Sequence, residues 1–173
     1  AAQLNFPKAV AVDAAGNVLI ADSENHLIRK VDAVTGVITT IAGRRFSQGD
    51  SGDGGQAAMA QLSHPIDIAL DSAGNIYFSD NRNHRVRKID AATMTITTYA
   101  GNGTGGFSGD GGGATLAQLW FPDGIALDNQ GNLFIAEAAN HTVRRVDAGT
   151  GIISTAAGLG QGFSDGPGVA ARF

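Results

Sequence analysis

The sequence predicts an all-β fold of the β-propeller type, made of three four-stranded antiparallel blades, and three observations predict it. The 173-residue chain repeats itself, with Leu4, Leu62 and Leu119 opening copies spaced 58 and then 57 residues apart. Each copy divides into four short runs with strand chemistry, separated by turn chemistry. No run shows the apolar spacing and caps of an amphipathic helix. A fixed period of this length marks stacked supersecondary units, each unable to bury its apolar face alone.

The elements follow in order within each copy. The first run is VAVD, IALD and IALD; the second is NVLIAD, NIYFSD and NLFIAE. The third, LIRKVD, RVRKID and TVRRVD, alternates apolar and charged residues as a half-buried strand does. The fourth, VITTIAG, TITTYAG and IISTAAG, is rich in Thr and Ile. The first and second runs are joined by DAAGN, DSAGN and DNQGN, where Gly16, Gly74 and Gly131 supply the positive φ of a tight hairpin. The third and fourth are joined by DAVTG, DAATM and DAGTG. The blades are expected at residues 1–61, 62–118 and 119–173 of one continuous repeat domain.

At these positions the chain resembles the NHL-repeat family. The family pattern runs from a Pro (Pro7, Pro65, Pro122) through an Asp-x-x-Gly-Asn turn to an Asn-His pair and a basic pair. The Asn-His pair stands here as Asn25-His26, Asn83-His84 and Asn140-His141. The resemblance covers essentially the whole chain. It implies a β-propeller, most often six-bladed, and is closest to the long bacterial form with Gly-Asp-Gly inter-blade loops. Ala9 and Asp67 depart from the family's usual Gly, which Gly124 retains, and Glu137 replaces the acid seen as Asp22 and Asp80.

Three blades do not close a ring of four to eight. Ala2-Gln3-Leu4 repeats the phase of Ala60-Gln61-Leu62, and Ala171-Arg172-Phe173 stops at that same phase. The expectation is half of a six-bladed ring, completed by further NHL blades in cis or by a second copy of the chain related by a two-fold axis.

Composition bounds the function. Apolar residues make up 43% and charged residues 16%, a folded rather than a disordered balance. The formal net charge of −4 argues against a nucleic-acid partner, which usually needs a basic footprint. There is no Cys, hence no disulfide framework or thiolate metal site. No apolar run approaches a membrane span. An extracellular or periplasmic setting is what the resemblance and the low Lys content suggest.

Alternating strand direction puts the loops between the second and third strands on the same face as the long, glycine-rich inter-blade loops. Binding residues concentrate on such loops. His26, His84 and His141 recur once per blade, so their expected role is structural, fixing neighbouring loops, rather than a shared metal site. Asp53, Asp110 and Asp165 of the Gly-Asp-Gly segments are weak calcium candidates, because one Asp per loop falls short of six to eight oxygens; their bland role is to cap their own turns. No other cofactor is expected. The recurring Arg29-Lys30, Arg87-Lys88 and Arg144-Arg145, with Arg85, read as solvent-facing positions paired with Asp32, Asp90 and Asp147 or other blade carboxylates. Positions that break the repeat are better ligand candidates: Lys8, His64, Asp67, Trp120 and Asp123 are expected around the channel mouth. No nucleophile elbow, P-loop or His-Glu-x-x-His motif occurs. The sequence therefore favours a non-catalytic scaffold for a protein or extended ligand. The alternative is part of a metal-assisted lyase or hydrolase propeller with its site in the central channel, using Asp67, Asp123 and His64.

Overall fold

The fold is seen in a computed structural model that describes residues 2–158 and 160–162. Twelve strands form three four-stranded antiparallel sheets, each wound in chain order. Blade one holds β1 (Pro7–Val12), β2 (Val18–Asp22), β3 (Leu27–Val31) and β4 (Ile38–Ala42). Blade two holds β5 (Pro65–Leu70), β6 (Ile76–Asp80), β7 (Arg85–Ile89) and β8 (Ile96–Ala100). Blade three holds β9 (Pro122–Leu127), β10 (Leu133–Glu137), β11 (Thr142–Val146) and β12 (Ile153–Ala157). Apart from strands, the described residues contain only single turns of 3-10 helix, and none is long and apolar enough to cross a membrane.

The turns form for the reasons their residues supply. Asp13 accepts from the backbone N–H groups of Ala15 and Asn17 and from the Asn17 side chain. Asn17 in turn accepts from the Ala33 N–H at 2.9 Å, which ties the first hairpin to the second. The Asn17 hydrogen bond holds the Asp13 carboxyl at about 2, well below the usual carboxylate range. Blades two and three repeat this with Asp71–Asn75 and Asp128–Asn132.

Apolar side chains pack between blades rather than within them. One core joins blades one and two through Leu19, Ile28, Leu62, Ile68, Phe78 and Ile96. A second joins blades two and three through Val86, Leu119, Ile125, Leu133, Ile135 and Ile153. The innermost strands β1, β5 and β9 lie side by side.

Each of the two inter-blade loops among the described residues also finishes the blade that follows it. Gly54 and Ala57 donate to Ile96 and Met94, while Ile96 donates back to Gly55, so residues 54–57 lie along the outer edge of β8. Residues 111–114 cover β12 in the same way. This satisfies edge groups that would otherwise invite foreign strands. By hydrogen bonding, residues 54–57 belong to the second blade, although they precede the boundary expected at residue 62. Gly52 makes the path possible: its φ is +103°, and a Cβ there would sit 2.7 Å from the Ala60 Cα.

Candidate binding face at the inter-blade loops

The loop-bearing face is built from three recurring devices. The first is the histidine. His26 and His84 sit at left-handed φ of 57° and 54°, each ending a single 3-10 turn. The His26 Nδ1 accepts the His64 backbone N–H at 3.1 Å, and the His84 Nδ1 accepts that of Phe121 at 3.1 Å. Each imidazole thus holds the first residue before the next blade's inner strand, which is itself left-handed. Burial lowers the pKa of both imidazoles, with a weaker opposing pull from Glu24 on His26.

The second device is a buried arginine, and it corrects the expectation of solvent-facing arginines. Arg87 and Arg144 are fully buried. Arg87 donates to Asp80 at 3.3 Å within its blade and to Asp53 of the preceding loop at 2.7 Å. Arg144 does the same with Glu137 at 3.4 Å and Asp110 at 2.6 Å. The second basic residue of each pair faces outward: Lys30 meets Asp13 at 3.1 Å, and Arg145 meets Asp147 at 3.0 Å as expected. Asp32 and Asp90 instead accept from their own turns. Antiparallel pleating gives the reason, since adjacent residues of a strand point to opposite faces.

Asp53 and Asp110 do not cap their own turns. Their second oxygens accept the backbone N–H of Thr98 and Thr155, both at 3.0 Å. Each carboxylate is therefore spent on the next blade. Burial opposes ionisation of Asp110, but the Thr155 bond and the Arg144 charge outweigh it and hold the carboxyl below the usual range. Asp80 is the opposite case. Burial pushes it up to about 6 against the bonds from Asn83, the Ser63 N–H and Arg87. Among the described residues no three His, Asp or Glu side chains converge on a point. Asp165 lies outside the described residues.

The third device locks the inner strands. Ser23 donates to the Pro65 carbonyl, and Asn81 donates to that of Pro122 at 3.1 Å. Ser79 adds a bond to the Asp123 carbonyl at 2.8 Å. Ser79 and Asn81 break the repeat, with Ala21 and Ser23 as counterparts in one blade and Ala136 and Ala138 in another.

Of the five residues expected around the channel mouth, three join blades. His64 is buried, and its Nε2 lies 3.0 Å from Glu24. Asp67 accepts the Ile125 N–H at 2.8 Å. Asp123 accepts from the Asn81 side chain at 2.9 Å, and burial raises its pKa. The other two are exposed. Lys8 lies 5.1 Å above the Phe6 ring. Trp120 keeps 43% of its surface exposed while its backbone N–H is held by Glu137 at 2.7 Å.

Glu137 keeps the bonding of the aspartate it replaces. Asp22 accepts the Asn5 N–H at 2.7 Å, and Asp80 accepts the Ser63 N–H at 2.7 Å, as Glu137 does for Trp120. Beyond these ties the face carries the exposed aromatics Phe6, Phe46, Phe107 and Phe121.

Known proteins match this layout. The sequence profile of the NHL repeat matches residues 4–31, and that of the teneurin NHL domain matches residues 44–107 and 103–171. The chain is 36% identical over 139 residues to protein SUPPRESSOR OF QUENCHING 1, chloroplastic, of Arabidopsis thaliana, covering 76% of this chain and 13% of that protein. Human NHL repeat-containing protein 2 is 27% identical over 147 residues, covering 79% of the chain and 20% of that protein. The chain thus spans a fifth or less of these curated relatives, which come from a plant and an animal. Among solved structures, an auxiliary nutrient binding protein from Bacteroides ovatus superposes with a TM-score of 0.72 at 17% identity, over 99% of this chain and 42% of that one. A streptogramin B lyase superposes with a TM-score of 0.56 at 20% identity, over 86% and 39%.

Proposed function

Because the chain belongs to the NHL-repeat family of β-propellers, we propose that it is a non-catalytic scaffold that binds a protein or another extended ligand through its loop-bearing face. The fold hosts binding proteins and a lyase alike, so the reading must come from the face itself. One observation carries it: the aromatic residues left exposed there. Phe46 is 88% exposed, with the Arg45 guanidinium 4.5 Å from its ring centroid. Phe6, Phe107, Trp120 and Phe121 add to it, all on inter-blade loops or the approach to inner strands. Rigid aromatics beside an arginine are the residue types that anchor protein interfaces. Beside Phe46 lies an open pocket of about 450 Å³, lined by Asn5, Glu24, Asn25, His26, Arg45 and Gln48.

The alternative is a lyase or hydrolase acting in the central channel. It would need Asp67, Asp123 and His64 to turn toward one point. Each of them is engaged with a neighbouring blade instead.

Trp120 is the only tryptophan, so its emission reports on this face. Peptides selected by display on the intact chain are expected to shift that emission. They should lose about tenfold or more in affinity when Phe46 and Trp120 are both changed to Ala. Peptides that bind the double variant unchanged, and leave the emission alone, would sink the reading.

A further inference from the structure

Blade one carries, open, the pocket that blades two and three carry filled. In blade two, residues 49–60 occupy it. Asn83 donates to the Gly49 carbonyl at 2.7 Å, Arg87 and the Thr98 N–H hold the Asp53 carboxylate, and residues 54–57 pair with β8. In blade three the same grip falls on residues 106–117. Asn140 donates to Gly106 at 2.9 Å, and Arg144 and the Thr155 N–H hold Asp110. Blade one presents the identical set in Asn25, Arg29 and Thr40 around an open pocket of about 770 Å³, whose wall also includes Leu4, Leu27 and Arg45.

The gripping groups there are only half used. Among the described residues Arg29 pairs with Asp22 alone, at 3.4 Å, and Asn25 donates to Asp22 alone. Their counterparts each serve a second acceptor on the preceding loop. Along the outer edge of β4, Ile38 is half-buried and Val37 is exposed, whereas Ile96 and Ile153 are fully covered.

We infer that this pocket is a receptor for a glycine-flanked aspartate segment presented by an adjoining NHL blade, with Arg29 and the Thr40 N–H taking the carboxylate, Asn25 taking a glycine carbonyl, and β4 pairing with the segment that follows. The occupant is argued from the chain itself, in which the same three groups hold the same kind of segment twice. Charge complementarity agrees, since Arg29 and Arg45 both line the pocket and no carboxylate does. The addition of a strand to an open edge supplies main-chain bonds, and the single buried ion pair supplies selectivity. This site adjoins the Phe46 pocket, with which it shares Asn5, Asn25 and Arg45, but Arg29 and Thr40 belong to it alone, so Arg29→Gln tests it apart from the Phe46 and Trp120 changes.

The experiment titrates the isotope-labelled chain with a synthetic peptide of residues 105–118 and follows amide shifts by NMR. Saturable shifts are expected at Thr40, Arg29 and along β4. The peptide with Asp110→Asn should bind about tenfold or more weakly, because one charge-assisted pair is lost. In the chain, Arg29→Gln should weaken the native peptide and largely abolish the difference between the two peptides. Because the Asn substitution is in the peptide, that comparison does not depend on the folding of any variant. No saturable shift at millimolar peptide, equal binding of both peptides, or equal displacement by an unrelated glutamate-rich peptide would each overturn the inference.

Discussion

Blades one and two share one repeat pattern, yet the matched positions that face a neighbouring blade or loop differ in burial. Ile96 is fully buried beneath residues 54–57, while Ile38, its equivalent, is half-buried. Ile68 is covered by neighbouring blades, while Val10, at the same phase, is 67% exposed. Arg87 is sealed between two carboxylates, while Arg29 has one and a partly open side chain. The difference teaches that a blade's stability is held mainly at its contacts with neighbours. The strand pattern is the same in both, so only the covering surface can account for it.

The comparison can be broken, beginning with the largest effect. Arg87→Met should leave Asp80 buried without its partner and cost about 3–5 kcal/mol in urea unfolding. Arg29→Met should cost clearly less, because Arg29 holds one carboxylate where Arg87 holds two, and its side chain is already partly open to water. Equal losses would mean that burial in blade two adds nothing. Ile96→Ala should cost about 2–5 kcal/mol and Ile38→Ala under about 1.5 kcal/mol, the gap measuring what the inter-blade loop covers. Asp53→Asn removes the charge that bridges Arg87 and Thr98, and is expected to cost about 1–2 kcal/mol after discounting for its exposed side. Asp50→Asn, whose carboxylate lies 3.5 Å from Arg85 in a largely exposed pair, should stay within about 0.5 kcal/mol.

The smallest test is one of pH. The Asp80 carboxyl is raised by burial to about 6, so the folded state holds its proton where the unfolded chain has lost it. That contribution is fully present below about pH 4 and is lost as pH rises through 6. The Asp80 carboxyl carbon should therefore titrate near pH 6 by NMR. Asp13, held at about 2 by Asn17, runs the other way. Its contribution is present above about pH 4 and is lost as pH falls through 2. An Asp80 midpoint near 4 would show that its bonds, not its burial, dominate.

Much of the fold was legible in the residues. The period marked the blades, alternation marked the strands, and Asp-x-x-Gly-Asn marked the first turns. These signals are local, and local backbone chemistry suffices to read them. The site was legible only in part. The repeated histidines tie one blade to the next. Of the irregular positions Trp120 is exposed, whereas His64, Asp67 and Asp123 bond to neighbouring blades, because each junction between blades is locked by different side chains. Ser23 does the work in one junction, and Ser79 with Asn81 in the next. Irregularity therefore marked junctions as well as surface.

By itself the sequence determined what each blade is: four strands, their turns, and the alternation of inward and outward residues. Tertiary structure decided what the polar residues do. Whether an arginine on the third strand faces solvent or a carboxylate depends on which loop lies across it. The acceptor comes from 34 residues earlier in the chain, as with Asp53 and Arg87. No local pattern records that pairing, because it exists only once one blade has packed against the next.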